Sequence, residues 1–473
     1  MVRRVKMKNL INVLVSVLIF TGIAIGQIWE QTYDEIIEAG GGSIRTICET
    51  KTGYVYASIT GSNNFSVFKS EKETGEIIWQ KKHYLLSYSD VEKIMTITDD
   101  KILIIGGTGS DCKNLLMIAD SLGNELKRKI WRPDGFTQSG IRDVVQNEDS
   151  TYTALSWLGL SESSCYFSLI KFNENLEIIW AKLYQVEENN VYICDIAKDG
   201  ENYIGIGSLR GSINNLKPGL MKFDKFGNIV WQKKYPEYSF PGGLAEVTKI
   251  SNGYLACSLS RHNGNEGPDY AALMKIDNDG NVIWFNDCIL SFLDFGWMIK
   301  AWKINNEYVG VVKAHPFPYS ETFIVKLDTS GNLIGYQKWN RMNVFDAIFT
   351  QDQHLLVGGG NSYCDPWAFK TCLPATDIVP LVKEFKLDQN YPNPFNPTTT
   401  LQYGLPEQSD AQLNIYDING RKIKQWNISN QQPGWHEVIW DGTDMHGNMV
   451  THNIKGLLNG SRNYNVFSSK INR

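Results

Sequence analysis

The sequence is poor in the local patterns that mark a catalytic site. Its seven histidines (His83, His262, His315, His354, His436, His446 and His452) form no HExxH pair and no cluster at metal-ligand spacing. There is no GxSxG, no phosphate-cradling glycine loop and no Walker lysine. These absences remove the common local signatures of zinc hydrolases, α/β-hydrolases and nucleotide-binding enzymes. No catalytic residue is assigned, and neither a metal nor a cofactor is expected. A site assembled from distant segments is still allowed. Positive charge is not in excess either. The 46 Lys and Arg stand against 51 Asp and Glu, a net charge of −5, with no basic stripe, so nucleic acid is not an expected partner. The eight cysteines include no CxxC pair. Cys48, Cys194 and Cys257 sit inside apolar strand-like runs, where a thiol behaves as a small hydrophobe, so mostly free and buried thiols are expected.

Long apolar runs are missing too, except at the beginning. Arg3, Arg4, Lys6 and Lys8 precede an apolar stretch from Leu10 to Ile25, and Ala24-Ile25-Gly26 supplies small residues. This pattern predicts an export signal over residues 1–26, cleaved before Gln27. The stretch is short for a bilayer span, which needs about 20 apolar residues. No second run follows, so a mature chain without a transmembrane segment is expected, at the cell surface or outside the cell.

Repetition is abundant. Leu220 to Tyr235 reads LMKFDKFGNIVWQKKY, Leu273 to Trp284 reads LMKIDNDGNVIW, and Ile324 to Ile334 reads IVKLDTSGNLI. Related copies start at Val67, Leu115 and Leu169. Each is an apolar strand, an Asp/Gly turn and a second strand ending in Trp. Trp29 and Trp79 are 79 − 29 = 50 apart, Trp180 and Trp231 are 51 apart, and Trp231 and Trp284 are 53 apart. Lys127 fills the skipped Trp position and Gly335 the last one, which makes seven marks. Small-residue strands near Tyr54, Ile102, Tyr152, Tyr203, Tyr254, Tyr308 and Leu355 give the same count. Four short strands per unit, separated by Gly/Asn/Asp turns, predict an all-β fold, a seven-bladed β-propeller over residues 27–372. Trp29, Trp79, Trp180, Trp231 and Trp284 are expected to fill wedges between blades, and Gly75, Gly123, Gly227, Gly280 and Gly331 to form the turns. The last unit lacks a fourth strand, and QIWEQTY from Gln27 reads as the orphan strand that closes the ring.

The D-x-x-G-x-x-x-W motif, as Asp224–Gly227–Trp231 and Asp277–Gly280–Trp284, resembles that of quinoprotein-like and Bacteroidota surface propellers. The resemblance implies the fold and carries no cofactor with it. Trp comes four residues after Gly, whereas the Asp boxes of sialidases place it three after. Asp277 to Asn281 has only part of a calcium-loop ladder and reads as a hairpin turn.

After Cys372 the texture changes. Residues 373–384 read as a linker and 385–473 as a second domain. Asn390, Tyr391, Pro392, Asn393, Pro394, Phe395, Asn396, Pro397 and Thr398, with LNIYDINGRKI from Leu413 and WHEVIWDGTDMHGNMV from Trp435, resemble the type A sorting domain of type IX secretion. That implies a small immunoglobulin-like β-sandwich and the type IX machinery as partner. The prolines hold an extended edge, and Asn419-Gly420 is a hairpin turn. From Thr451 to Arg473 the chain departs from the family pattern. The tail is expected to be atypical, as after a shifted reading frame, which puts recognition by the secretion machinery in question.

For the propeller itself, loops between second and third strands are where recognition is expected. Arg261, His262 and Asp269, then His315, Phe317 and Tyr319, then Asp365 and Trp367, are the candidate ligand-binding residues. The resulting expectation is a monomeric, exported, non-enzymatic binding module for a glycan or a protein. The alternatives are a secreted enzyme acting on glycans with carboxylates converging from several blades, and a quinoprotein-like redox protein.

Overall fold

A computed structural model describes residues 27–33, 42–59, 64–85, 89–97, 101–108, 112–161, 164–184, 191–210, 216–236, 244–261, 269–290, 296–314, 320–340, 342–361, 365–372, 379–380, 385–387, 390, 398–405, 409–417, 419–431, 434–450, 454–459 and 464–469. The expected export signal, residues 1–26, lies outside the described residues. Every regular element among the described residues is a β-strand.

Seven antiparallel sheets make the seven blades. Their innermost strands are Ser43–Thr50, Ser89–Thr96, Gln138–Gln146, Val191–Asp199, Leu244–Ile250, Gly296–Ile304 and Met342–Phe349, in blades 1 to 7. Each innermost strand packs against that of the next blade, and the seventh returns to the first. Blade 7 takes its fourth strand from the other end of the propeller. Gln27–Thr32 pairs antiparallel with Pro366–Cys372, and Trp29 lies opposite Lys370. The same Trp–Lys pairing occurs within blades 1, 3, 4 and 5, as Trp79–Lys69, Trp180–Lys171, Trp231–Lys222 and Trp284–Lys275. The orphan strand therefore closes the ring in the register of an ordinary fourth strand.

Both faces of a blade are covered by neighbours, so its middle strands are apolar throughout. Ile102–Thr108 and Lys113–Ala119 are buried along almost their whole length, while Ile77–Tyr84 at the outer edge is mostly exposed. Seven separate apolar clusters result, one at each blade interface. Each fully buried Leu, Ile or Phe in them contributes about 1.5–3 kcal/mol.

The repeated Trp works across the interface. A Cβ placed on Gly75 would lie 2.6 Å from the ring of Trp29, and one on Gly331 would lie 2.6 Å from that of Trp284. Gly123, Gly227 and Gly280 stand likewise against Trp79, Trp180 and Trp231. All five glycines have φ between +73° and +83°, a conformation that L side chains rarely adopt. The turn is held by its Asp: Asp224 Oδ1 accepts from the N–H groups of Phe226 and Asn228 at 2.9 and 2.7 Å. Asp277 accepts in the same way from Asp279 and Asn281, as expected for a hairpin turn. At the interface of blades 2 and 3 both partners change together. Lys127 replaces the Trp, and Leu176, at φ 59° and buried in the interface cluster, replaces the Gly. At blade 6 the Trp position is Gly335, which pairs with Pro380 of the linker.

The C-terminal domain is a small sandwich. One sheet holds Lys386–Leu387, Thr399–Leu405 and Gly434–Trp440. The other holds Lys422–Gln431, Ser409–Asp417, Ile454–Asn459 and Tyr464–Ser469. Between them lie Leu401, Leu405, Leu413, Ile415 and Trp440. The tail expected to be atypical thus supplies two paired strands, the first of them against Ser409–Asp417.

The Trp–Gly contact predicts a graded response. Gly280→Ala meets the Trp231 ring at 3.0 Å on top of backbone strain, and should lower propeller stability by about 2–3 kcal/mol. Gly135→Ala has the same φ of +83° with nothing within 4 Å, and should lose only about 1 kcal/mol. Equal losses in the denaturation midpoint of the two variants would show that the ring contact contributes nothing.

Candidate functional site

The innermost strands surround the axis of the ring, and each carries one extra residue. The register against the second strand shifts at Arg45, Glu92, Arg142, Cys194, Ala245, Ile299 and Phe345. Such a bulge re-aims the side chains beside it. The residues directly after it are Thr46, Lys93, Asp143, Asp195, Glu246, Lys300 and Asp346. They form a polar ring inside an otherwise apolar structure.

Most of this ring is used to join blades. An innermost strand has no sheet partner on its axial side and would leave N–H groups unsatisfied. Asp143 Oδ2 accepts from Ile196 N at 2.9 Å, Asp195 Oδ2 from Val247 N at 2.7 Å, and Asp346 Oδ2 from Ile47 N at 2.8 Å. Thr46 Oγ1 accepts from Ile94 N at 3.2 Å. In each case the donor lies in the next blade, one residue after the ring position. Where the ring residue is lysine it reaches a carboxylate instead: Lys93 pairs with Asp143, and Lys300 with Glu246 at 2.9 Å.

Asp143 and Asp195 are hydrogen-bonded to each other, and their environments separate them. Burial pushes Asp143 up, but Lys93 and the donors around it hold the carboxyl below its usual range. Burial, then Glu246 and Asp143, push Asp195 well above it. Asp195 therefore carries the proton and donates to Asp143. Glycosidase carboxyls stand about 5 Å or more apart around the sugar. This pair touches directly and serves the blade joints.

The loop end of the axis is different. Innermost strands begin there and second strands end there. Arg142 is ion-paired with Glu92, and its guanidinium lies 5.8 Å from the ring centroid of Trp157. Burial pushes Glu92 up to about 7, with Arg142 opposing. Phe345 has the Arg45 guanidinium 4.4 Å and Lys313 Nζ 4.6 Å from its ring centroid. Neither cation has a carboxylate partner among the described residues. Burial and Arg45 together lower Lys313 to about 8. Trp297, directly across from Lys313 in the blade 6 sheet, has a buried Nε1 without a hydrogen-bond partner. So do Asn343 Oδ1, two residues before Phe345, and Arg45 Nε. The arrangement can take up negative charge and further hydrogen bonds.

The candidate residues read from the sequence fare unevenly. His262, His315, Phe317 and Tyr319 lie outside the described residues. Arg261 and Asp269 face each other in register at the ends of their strands in blade 5. Asp365 is half-buried. Trp367 is a correction: it is fully buried in the interface of blades 6 and 7, and its Nε1 donates to Glu30 Oε1 at 2.9 Å. The strand begins two residues earlier than a loop reading requires, and Trp367 packs between blades. In the sorting motif Asn390 is buried and donates to Thr399 Oγ1 at 2.8 Å, and Thr398 is exposed. Residues 391–397 lie outside the described residues. Cys48, Cys194, Cys257 and Cys372 are free thiols. Arg45, Lys313 and Phe345 were missed, although charges interrupting each unit's first strand at one place were a usable signal.

At the turn face a cleft of about 440 Å³ separates blades 3 and 4. Two of its three lysines are ion-paired, Lys171 with Asp149 at 2.9 Å and Lys225 with Glu201 at 3.0 Å, while Lys198 Nζ lies 5.1 Å from the ring centroid of Tyr203.

The protonated state of Asp195 has a pH signature. A carboxyl raised by folding stabilises fully below its unfolded value of about 4, and that contribution is lost as pH rises toward the folded value. Asp195→Asn keeps an acceptor for Val247 and a donor for Asp143. It should flatten the fall in stability above pH 4 and be at least as stable as the parent at pH 7. Asp143→Asn leaves Lys93 without its carboxylate and should lose about 2–3 kcal/mol. Comparable losses in both variants at pH 7 would mean that Asp195 is ionised.

Residues 393–452 match the family model of the FlgD Ig-like domain. No curated protein matches the chain in sequence. Among solved structures, the Dos1 propeller is 10% identical, with a TM-score of 0.45 over 69% of this chain and 78% of that one. The β-propeller domain of the Trilobed protease from Pyrococcus furiosus is 9% identical, with a TM-score of 0.42 over 72% and 97%. Extracellular domains 1–2 of Drosophila Semaphorin 1b are 6% identical, with a TM-score of 0.45 over 86% and 94%. From its own sheet topology the chain is a seven-bladed β-propeller, followed by a C-terminal domain similar to the FlgD Ig-like domain.

Proposed function

We propose that this chain is an exported, non-enzymatic binding module whose propeller recognises an extracellular glycan or protein at the loop end of its axis. One observation carries the reading. The axial carboxylates are engaged in joints between blades, whereas Arg45 and Lys313 stand half-buried on Phe345 without an ion-pair partner among the described residues. Unmatched buried charge is costly unless something binds it. A site that binds rather than turns over needs such unsatisfied groups and no general acid. Export is read from the leader over residues 1–26, and delivery by type IX secretion from the Asn390–Thr398 motif and the strands after it. One observation favours the alternative of a glycan-processing enzyme: Glu92, raised to about 7, has the proton affinity of a general acid. Its ion pair with Arg142 ties it to the neighbouring blade instead.

The test is a screen of the chain from Gln27 to Arg473 against immobilised glycans and extracellular proteins, followed by product analysis of every glycan bound. The binding reading expects a saturable ligand that is recovered intact. Cleavage of the bound glycan, abolished by Glu92→Gln, would replace it with the enzyme reading.

A further inference from the structure

The loop end of the axis offers an unusual set of unsatisfied groups. Two cations lie 4.4 and 4.6 Å from the centroid of Phe345, and neither is ion-paired to a carboxylate among the described residues, although Arg45 feels the charge of Glu92, which is itself paired with Arg142. Cation–π contact offsets part of the cost of burying each charge, but the two positive groups repel each other. Around them, Trp297 Nε1 is a donor without an acceptor and Asn343 Oδ1 an acceptor without a donor. Blades 6, 7 and 1 each contribute, so the groups converge only when the ring is closed.

We propose that Arg45, Lys313, Trp297 and Asn343 form a site for an acidic sugar, whose carboxylate or sulfate lies between the two cations while its hydroxyls complete Trp297 and Asn343. This deepens the proposed binding function and rests on it. An anionic group satisfies Arg45 and Lys313, and the planar guanidinium suits a carboxylate or sulfate held by two hydrogen bonds. A hydroxyl both accepts and donates, which is what the two remaining groups require. A sugar ring carries charge and hydroxyls on one rigid frame. An acidic peptide side chain brings the charge without the hydroxyl.

The experiment titrates the chain from Gln27 to Arg473 with three oligosaccharides of equal length: oligogalacturonate, its neutral galactose counterpart and a sulfated galactose oligomer. Poly-glutamate is a fourth probe. Either acidic sugar should bind at least about tenfold more tightly than the neutral one and than poly-glutamate, and the stronger of the two identifies the anionic group. Arg45→Gln and Lys313→Gln should each weaken binding about tenfold or more, Lys313→Arg should restore most of it, and Lys303→Gln, an exposed lysine at the far end of blade 6, should change nothing. A melting curve for each variant separates loss of binding from loss of fold. Asn343→Ala should weaken the sugar and leave poly-glutamate unaffected, an outcome that does not depend on the charge variants folding. Equal affinity for neutral and acidic sugars, or full affinity in Arg45→Gln/Lys313→Gln, overturns this site. A neutral glycan or protein ligand indifferent to those substitutions would overturn it while leaving the binding function standing. Tighter binding of poly-glutamate would overturn the sugar in favour of an acidic polypeptide.

Discussion

Side chains that cross from one blade to the next at the axis are the interaction on which the rest of the structure depends. A blade's innermost strand has no sheet partner inward, so its N–H groups need acceptors from elsewhere. The bulge in each strand turns a polar side chain toward the following blade, and Asp143, Asp195, Asp346 and Thr46 each accept a main-chain N–H there. A hydrogen bond to a charged acceptor such as Asp143 contributes about 1.5–3 kcal/mol and one to a neutral acceptor such as Thr46 about 0.5–1.5 kcal/mol, and leaving the buried N–H unpaired costs about 1–3 kcal/mol. The axial carboxylates thereby have a structural role first. That is the ground for reading the remaining cations, rather than the acids, as functional.

At the rim the joint is apolar and steric. A Trp of one blade lies over a turn glycine of the next, and the glycine's positive φ and missing Cβ are both needed. The exception supports the rule: Lys127 and Leu176 replace Trp and Gly together, and the leucine joins the interface core. The N-terminal strand obeys the same geometry, with Trp29 over Gly75 and Tyr33 donating to the Gly75 carbonyl at 3.0 Å. Closure is therefore made by the ordinary blade joint, with strands drawn from opposite ends of the propeller.

The rim was legible in the sequence because Trp and Gly are rare enough for a repeat of about fifty residues to stand out, and the orphan strand at Gln27 followed from the count. The axis was not. Its positions are filled by Thr, Lys, Asp, Glu and, at the bulge, by Arg, Glu, Cys, Ala, Ile and Phe, so no one residue type marks every blade even though the geometry repeats. A side chain at a bulge is also out of phase with strand alternation, which hides the wall from period-two reading. Trp367 illustrates the opposite error. An aromatic beside a Pro after a loop reads as an exposed anchor, yet both faces of a propeller strand are covered and the ring is buried. The tail after Thr451 departs from the family pattern in sequence and still pairs as two strands.

The account's central claim is that the axial side chains lock neighbouring blades together. The direct test is native-state amide hydrogen exchange, resolved at Ile47, Ile196 and Val247, the three N–H groups bonded to carboxyls of the preceding blade. The account predicts that they exchange as slowly as mid-sheet amides such as Ile104, through opening of the whole ring. Exchange as fast as that of turn amides such as Asn252 would contradict it, because the blades would then separate locally at the axis without unfolding.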